Sequence, residues 1–424
     1  MHASVLWTGE QARPLTHINA SGDGDDAASS PESAILTLFC ARRRDSTGAV
    51  EKRKRMKIEN VEVFGVAVPL VGEFKNAYLS KSVVKSAVVR ITATGGAVGY
   101  GNIDPTPGYS KEDTPAHLEV LRTKLAPRLI GLDPTNVHRV LGVIEPAVEG
   151  FLDSKAAIEM ACVDLSARVA GMAVHTYLGG AVKDRLDFNA WIGILPPEQA
   201  AAETLDWERK GFRSCKIKVG GNIEADRDRV AAVREAVGPD FNIRIDANAG
   251  YDAEASIKLA RMVAPYKLQL FEQPVPADDI AGMARVRREA NAVGVPIMAD
   301  ESVLDHASLI RIIRADAADI VKVKVMKQGG FLNTRRMIAT AEAAGIRCVV
   351  GHGFGLGVNT MAEMMLAATS SNVLDGLECV GPLKTRDDII TTRIDLTKGS
   401  VALPQGPGLG VTLDDAKLQQ YRFA

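Results

Sequence analysis

The sequence predicts an α/β protein: a modified (β/α)8 barrel of the TIM type that follows a smaller α+β domain. The chain has 424 residues, which is too long for one ordinary domain and long enough for a barrel with a partner domain. From residue 184 onward, apolar segments alternate with amphipathic ones at a spacing of about 25–28 residues, as in TIM-type barrels. No G-x-G-x-x-G motif opens a helix after the first strand, as a doubly wound dinucleotide-binding sheet would have it.

Eight apolar segments are the strand candidates of the barrel. They are residues 188–193, 215–219, 242–248, 268–274, 296–302, 320–325, 347–353 and 376–381. Helical patterns lie between them, for example at 223–237, 253–264 and 331–344. Because each strand is followed by a helix, the strands are expected to be parallel and to close into a barrel.

The preceding region has the pattern of a capping domain. Residues 57–69 and 83–94 are β-branched, and Gly95 and Gly96 offer a hairpin turn. The polar segment 71–82 is expected to be a lid loop, in which Tyr78 is a candidate substrate contact. Residues 153–171 have the start, spacing and final glycine of a helix. We expect an α+β cap at 56–183, the barrel at 184–400, and a return of 401–424 to the cap.

The first 55 residues differ in composition from the rest, and we expect either a disordered extension or a misassigned start. A net charge of −1 gives no reason to expect nucleic acid as a partner. No apolar run approaches the roughly 20 residues that cross a bilayer, so no membrane association is expected. Five cysteines without a C-x-x-C pair are typical of a reducing cytoplasm.

Charged residues fall at the carboxyl ends of several predicted barrel strands, where the catalytic residues of such barrels lie. They are Lys216, Lys218, Asp246, Glu272, Asp300 and Lys324. One acid at a strand end would be explained by a helix cap or a solvated loop. Three acids on successive strands instead predict one common site, because charges in a barrel mouth are costly unless they pair or bind a metal.

The acids Asp246, Glu272 and Asp300 offer only oxygen ligands. Such a set selects a hard cation, so Mg²⁺ is expected and Mn²⁺ is an alternative. No cluster of cysteine and histidine lies at the same strand ends, which disfavours zinc.

Lys216 and Lys218 alternate with an apolar residue, so both face the same side of their strand. Two ammonium groups beside a divalent cation should lower each other's pKa and supply a neutral lysine as a general base. Lys322 and Lys324 repeat the pattern across the barrel. Lysines on two sides of a metal-bound carboxylate indicate removal of its α-proton, with the enediolate charge neutralised by the metal and an ammonium group.

The ordered motifs KIKVGG, DANAGY, FEQP, ADES and VKVKVMKQGG resemble those of the enolase superfamily, within it the muconate-lactonizing subgroup of the mandelate racemase/muconate lactonizing enzyme family. The resemblance covers nearly all of residues 57–420. It implies that the three strand-end acids bind the metal and that Lys218 is one acid/base, with Lys216 as its electrostatic partner. Lys324 would be the opposite base. Asn248 and Glu301 would support the ligands.

Some positions depart from relatives. Lys322 stands where relatives often have asparagine. Lys324 occupies the position where an enzyme of the mandelate racemase type would need aspartate, so His352 is either a substrate contact or a packed histidine. The segment LECVGPLKTRDD is similar to the E-x-x-G-P-L motif of cycloisomerase-like members, which adds Glu378 to the candidate site.

The predicted reaction is racemisation or epimerisation of an amino-acid derivative or related small carboxylate, because two opposed lysines suit reprotonation on the opposite face. Cycloisomerisation is the alternative that the Glu378 segment favours, and dehydration of a hydroxy acid is the third. A catalytically silent barrel used for binding is a hypothesis of another class. A homo-oligomer in the cytoplasm is also expected.

Overall fold

The computed structural model describes residues 56–75, 80–106 and 110–424. The predicted extension at 1–55 and the candidate contact Tyr78 lie outside the described residues. The described part contains an antiparallel sheet of three strands, a curled parallel sheet of seven strands, a two-stranded ribbon, and the helices around them. This architecture is the predicted α/β class.

The N-terminal sheet consists of β1 (Ile58–Lys75), β2 (Ser80–Ala93) and β3 (Val98–Ile103), in that order. The chain turns between β2 and β3 at Gly95 and Gly96, whose φ angles are 86° and 80°. Glycine adopts positive φ without steric cost, so the predicted hairpin turn is confirmed.

The prediction of a lid loop over residues 71–82 is wrong in its extent. The pairs Phe74↔Lys81 and Lys75↔Ser80 continue the hairpin of β1 and β2 beyond a register shift at Pro69. Pairing is interrupted after Pro69, which is paired with Val83 but cannot donate to the sheet, and resumes at Phe74. Only residues 76–79 of the segment are left undescribed.

The helices cover both sheets. They are α1 (Thr114–Val120), α2 (Ala126–Leu129), α3 (Val137–Ile144), α4 (Leu152–Val169), α5 (Val174–Tyr177), α6 (Pro197–Arg209), α7 (Ile223–Val237), α8 (Ala253–Val263), α9 (Ile280–Asn291), α10 (His306–Arg314), α11 (Phe331–Ala343), α12 (Gly357–Ala367), α13 (Gly381–Lys384) and α14 (Asp415–Gln420). Side chains such as Asn222, Asp252 and Asp305 accept hydrogen bonds from the first turns of their helices. These caps satisfy backbone N–H groups that have no partner within the helix.

The long helix α4 packs directly on β3. A Cβ atom at Gly101 would lie 1.8 Å from the carbonyl oxygen of Ala157, and one at Gly99 would lie 2.1 Å from that of Ala161. Glycine is therefore needed at both positions for the helix to approach the sheet this closely.

The parallel sheet runs in sequence order around the barrel. Its strands are β5 (Ala190–Ile192), β6 (Ser214–Lys218), β7 (Asn242–Asp246), β8 (Leu270–Glu272), β9 (Ile297–Ala299), β10 (Ile320–Val323) and β11 (Arg347–Val350). Each of the seven strands overlaps one of the first seven predicted segments, and only β6 begins outside its segment, at Ser214.

The prediction of a regular eighth strand at 376–381 is wrong. Two isolated parallel bridges, Cys348↔Val373 and Phe188↔Leu377, take its place between β11 and the start of the barrel. Gly376 has a φ of 83°, and its carbonyl oxygen accepts a hydrogen bond from Arg244 at 2.7 Å. The segment bends around this buried guanidinium, and a regular strand cannot form.

The last residues return to the N-terminal sheet, as predicted. The backbone N–H of Gly65 donates to Ala424 and that of Ala67 donates to Tyr421, at 3.0 and 2.8 Å. The ribbon of β4 (Arg185–Asp187) and β12 (Ser400–Ala402) joins the two ends of the barrel region. The domain limits at 183 and 400 stay predictions.

No helix in the described ranges is both long and apolar enough to cross a membrane. The four cysteines that the structure describes are buried free thiols, and Cys40 lies in the undescribed N-terminal part.

Candidate active site

A cavity of about 310 Å³ lies at the carboxyl ends of the barrel strands. The strand-end charges predicted from the sequence line it together with two further candidates: Lys216, Lys218, Asp246, Glu272, Asp300, Lys322, Lys324 and Glu378. Strand register explains the convergence, because Lys218 is paired with Asp246 and Asp246 with Glu272 on neighbouring strands.

The two lysines of β6 contact different groups. Lys216 Nζ lies 3.1 Å from Asp246 Oδ2 and 3.0 Å from Glu272 Oε2. Lys218 Nζ lies 2.5 Å from Asp246 Oδ2 and 2.6 Å from Asn248 Oδ1. Lys216 is therefore held among carboxylates, whereas Lys218 is fixed at the outer end of the strand by one carboxylate and one amide.

The opposite wall is built around Asp300, which follows β9. Lys324 Nζ donates to both oxygens of its carboxylate, at 2.5 and 2.8 Å. Lys327 Nζ donates to the carboxylate at 2.7 Å and to the backbone carbonyl of Asp300 at 2.9 Å. Asp300 thus holds two ammonium groups that come from one segment.

Glu378 lies between the two walls. Its carboxylate accepts hydrogen bonds from Lys216 at 2.5 Å, from Arg244 at 3.0 Å, and from Lys322. Lys322 also donates to Glu272 at 3.0 Å. Lys322 is therefore held in ion pairs with two carboxylates, and Glu378 ties β6 and β10 together.

The carboxylates decide the charge states of the lysines. Burial disfavours the Lys216 ammonium, but Glu272 and Glu378 outweigh burial and hold its pKa well above 10.5. The predicted lowering of the pKa supposed a divalent cation beside the lysines and stays a prediction; the carboxylates by themselves act in the opposite direction on Lys216. For Lys324 burial dominates over the attraction of Asp300 and lowers the pKa to about 8.

Burial and neighbouring charges also shift the pKa values of the acids, in different directions. Burial alone would raise the pKa of Asp246, but Lys218 and Lys216 outweigh it and bring the value to about 2. Burial and the neighbouring charge of Asp300 raise the pKa of Glu301 to about 7.

Asn248 connects the strand-end acid Asp246 with Glu301, and the supporting role of both residues stays a prediction. The backbone N–H of Asn248 donates to Asp246 Oδ1 at 2.9 Å, and its side-chain amide donates to Glu301 at 3.2 Å. Asn248 has a φ of 46°, which asparagine tolerates better than most residues. This backbone turn aims its amide oxygen at Lys218.

His352 is buried next to the N-terminal sheet. Its Nε2 lies 3.6 Å from Asp104 Oδ2, and the same carboxylate oxygen accepts a hydrogen bond from Asn359 at 2.9 Å. Burial lowers the pKa of His352. Of the two predicted interpretations, the structure favours the packed histidine.

Sequence reasoning missed several residues of the site. They are Trp191, Phe354 and Lys384 in the cavity wall, with Arg244 and Lys327 behind the acids. Arg244 lies within a predicted strand, and a buried arginine there was a signal that a carboxylate was near. Lys327 lies in the turn after β10 and Lys384 ends the four-residue helix α13; the sequence pattern does not indicate the direction of such short segments.

The acids Asp246, Glu272 and Asp300 suit a hard divalent cation in ligand type, and they lie at or just after the ends of three neighbouring strands in the lining of one cavity. In the described ranges no three carboxylate, imidazole or thiolate groups are placed closely enough to hold a metal. Ammonium groups of Lys216 and Lys324 instead occupy the carboxylate oxygens. Lysine and metal therefore compete for the same oxygens.

Two family descriptions match the chain. Residues 58–179 match the "Mandelate racemase / muconate lactonizing enzyme, N-terminal domain", and residues 198–417 match "Enolase C-terminal domain-like". The chain belongs to the mandelate racemase / muconate lactonizing enzyme family. Relatives with solved structures share its fold.

An N-succinyl-L-Arg/Lys racemase from Bacillus cereus is 33% identical over 86% of this chain and 98% of that protein. Its crystal structure has a TM-score of 0.83 and covers 87% of this chain and 98% of the other. Muconate cycloisomerase 1 from Rhodococcus opacus is 32% identical over 85% of this chain and 96% of its own length. A dipeptide epimerase from Enterococcus faecalis V583, crystallised with Mg and the dipeptide L-Leu-L-Tyr, has a TM-score of 0.80 at 30% identity, covering 84% and 99% of the two chains.

Proposed function

We propose that this protein is an isomerase that removes the proton next to a substrate carboxylate and returns a proton on the opposite face. One observation carries the proposal: Lys218, at the end of β6, and Lys324, directly after β10, line a single cavity. Three strands separate these two on one side of the barrel. Inversion at one carbon needs two opposed acid–base groups, since one removes the proton and the other supplies a new one.

The roles follow from the contacts. Neutral Lys324 takes the α-proton from one face of the substrate, and the Lys218 ammonium donates a proton to the other face. For the opposite enantiomer the two lysines exchange roles. Lys216 stays charged among its carboxylates and supplies fixed positive charge near the enolate oxygens.

Asp246, Glu272 and Asp300 are the residues that would hold Mg²⁺, with Mn²⁺ as an alternative. The bound cation would neutralise negative charge that develops on the substrate carboxylate. Relatives crystallised with Mg support this assignment, as does the purely oxygen-based ligand set. Asn248 keeps Asp246 and Lys218 in position for it.

An amino-acid derivative is the proposed substrate class. A racemase of N-succinyl amino acids and epimerases of dipeptides are among the relatives, and both change the configuration of a carbon beside a carbonyl group. Cycloisomerisation is the second candidate, favoured by the E-x-x-G-P-L segment around Glu378 and by the muconate cycloisomerases among the relatives. We also expect a homo-oligomer in the cytoplasm.

Deuterium exchange tests the proposal. The Mg²⁺-loaded protein is incubated in D₂O with N-acyl amino acids, dipeptides, hydroxy acids and muconate, and NMR follows the α-proton and the product. Exchange with inversion supports racemisation or epimerisation. Lactone formation from muconate would favour the second candidate, and exchange with none of the acids would contradict proton abstraction.

A further inference from the structure

The end of β6, which carries Lys218, is held from behind by a buried arginine. Arg229 lies in α7, and its Nη1 donates to the backbone carbonyl of Lys218 at 3.2 Å. Its Nε donates to the backbone carbonyl of Leu195 at 2.5 Å. Leu195 lines the cavity, so one guanidinium group connects the strand end with the neighbouring cavity wall. Only 5% of Arg229 is exposed, and hydrogen bonds from a charged donor are stronger than those between neutral groups.

Asp226 fixes this arginine and the loop that follows Lys218. Its carboxylate accepts hydrogen bonds from Arg229 and from two consecutive backbone N–H groups, those of Gly220 at 3.2 Å and Gly221 at 3.1 Å. The carboxylate and the guanidinium are both buried. The carbonyl of Lys218 and the loop after it are therefore tied to one buried ion pair.

Tyr251 completes this contact from the segment after β7. Its hydroxyl donates to the Asp226 carboxylate and accepts a hydrogen bond from the backbone N–H of Gly220 at 2.9 Å. Burial and the hydrogen bond to Asp226 raise the pKa of Tyr251, so the hydroxyl keeps its proton at neutral pH. We call Asp226, Arg229 and Tyr251 the β6 anchor.

The backbone of Lys324 has a different support. Its N–H donates to Gln328 Oε1 at 2.6 Å, and Gln328 Nε2 donates to the backbone carbonyl of Val303 at 3.2 Å. The side-chain amide of Asn333 donates to the backbone carbonyl of Gln328. Gln328 is fully buried, and we call Gln328 and Asn333 the β10 anchor. The two anchors consist of different residues, and each contacts the backbone of one lysine.

We propose that the two anchors are independent positioning devices, one for each of the two acid–base lysines. The β6 anchor sets the position of Lys218, and the β10 anchor sets that of Lys324. Their members act through the backbone of these lysines, since the cavity lining in the described part of the chain does not include them. Loss of one anchor therefore impairs proton transfer on one face of the substrate. This inference rests on the proposed function for the roles of the two lysines.

A role in stability alone would have a different consequence. Disruption of a buried ion pair destabilises the folded protein, but a smaller folded fraction would reduce proton exchange from both enantiomers of the substrate by the same factor. Displacement of one lysine affects one face only, and a shift of about 1 Å can reduce a rate about 100-fold. The ratio of the two exchange rates therefore separates positioning from stability.

The test measures α-proton exchange in D₂O with the Mg²⁺-loaded full chain. The probe is the N-acyl amino acid that the wild type exchanges fastest in the deuterium experiment above, given as separate L and D enantiomers. Lys218→Ala identifies the enantiomer whose exchange depends on Lys218. For that enantiomer, Arg229→Lys should reduce kcat about 10- to 100-fold with little change in KM. Gln328→Leu should reduce kcat for the other enantiomer by a similar factor.

Tyr251→Phe tests the β6 anchor even if Arg229→Lys does not fold, because it removes one oxygen atom and keeps the ion pair. We expect it to reduce exchange from the Lys218-dependent enantiomer about 3- to 10-fold, as for the loss of one hydrogen bond. Exchange from the other enantiomer should stay at the wild-type rate.

Arg168→Lys is the matched control. Arg168 also donates to a buried carboxylate, that of Asp164 at 2.9 Å, and to a backbone carbonyl, that of Val411 at 2.5 Å. Asp164 likewise accepts hydrogen bonds from two backbone N–H groups, but this pair belongs to α4 and not to either anchor. The variant should leave the ratio of the two exchange rates unchanged.

Equal reduction of both rates in Tyr251→Phe and in Gln328→Leu, or no reduction in either variant, overturns the anchors. If the wild type exchanges none of the acids, the proposed function fails, and amide hydrogen exchange followed by mass spectrometry decides the anchors separately. Faster amide exchange confined to residues 218–221 in Tyr251→Phe, and to residues 324–328 in Gln328→Leu, would support two independent anchors. Unchanged amide exchange, or faster exchange in both segments of each variant, would overturn them.

Discussion

Replacement of Glu378 by glutamine should destabilise the folded protein strongly. Glu378 is fully buried by its neighbours, and three cations donate to its carboxylate: Lys216, Lys322 and Arg244. These cations hold its pKa well below 4.5, against the effect of burial. The side chain is therefore ionised at neutral pH. Glutamine keeps the shape but removes the charge that the three cations share.

The magnitude follows from the loss of a buried ion pair, which costs about 3–5 kcal/mol when one partner is removed. The remaining contacts reduce the effect, since Lys216 and Lys322 both keep Glu272. We therefore expect a loss near the lower limit, about 3 kcal/mol.

Glu363→Gln is the matched control. Glu363 is also completely buried, but among the described residues no cationic side chain donates a hydrogen bond to its carboxyl group. Burial raises its pKa to about 8, so it is mostly protonated at pH 7 and glutamine is close to it in charge. We expect this variant to lose less than about 1 kcal/mol.

Guanidinium unfolding at pH 7, followed by circular dichroism, compares the two variants with the wild type under one set of conditions. A midpoint clearly lower for Glu378→Gln than for Glu363→Gln agrees with the charge assignment. Equal midpoints would refute the reasoning, because the three-cation contact would then contribute no more than an isolated buried carboxyl group.

Two further predictions concern stability. Glu159 accepts hydrogen bonds at 2.9 Å from the first two backbone N–H groups of α11. Burial raises its pKa from 4.5 to about 7. Its contribution to the stability of the folded state is therefore fully present below pH 4.5, and about 3 kcal/mol of it is lost as the pH rises through 7. Glu159→Gln removes this dependence, so its melting temperature should improve relative to wild type between pH 5 and 8, and a constant difference would speak against the raised pKa. Gly101→Ala should cost about 1–3 kcal/mol or more, because its Cβ would meet the carbonyl of Ala157. Gly142→Ala, with open space around it, should stabilise α3 by up to about 1 kcal/mol; equal unfolding midpoints for the two alanine variants would contradict the close approach of α4.

The acids of the site could be predicted because the barrel geometry makes their meeting a consequence of strand order. Asp246, Glu272 and Asp300 lie at the ends of successive parallel strands, and those ends share one face of a barrel. The alternation of Lys216 and Lys218 likewise fixes both side chains on one side of β6. These arguments need only the period of a strand and the order of strands.

Other parts of the site depend on local backbone that periodicity does not describe. The eighth segment bends at Gly376 around Arg244, so neither its irregular form nor the three-cation contact of Glu378 follows from an apolar run. Lys384 reaches the cavity from a four-residue helix, whose direction depends on tertiary packing. The pKa of Lys216 also required the structure, because the sequence indicates a neighbouring lysine but not three surrounding carboxylates.

The two-lysine mechanism is tested most directly by stereospecific exchange in D₂O. Wild type, Lys218→Ala and Lys324→Ala are each loaded with Mg²⁺ and given the separate L and D enantiomers of one N-acyl amino acid that the wild type exchanges. We expect each variant to lose α-proton exchange from a different enantiomer by about 100-fold or more, the usual contribution of a general base, and to keep measurable exchange from the other. Full exchange of both enantiomers by both variants would show that these lysines are not the two bases.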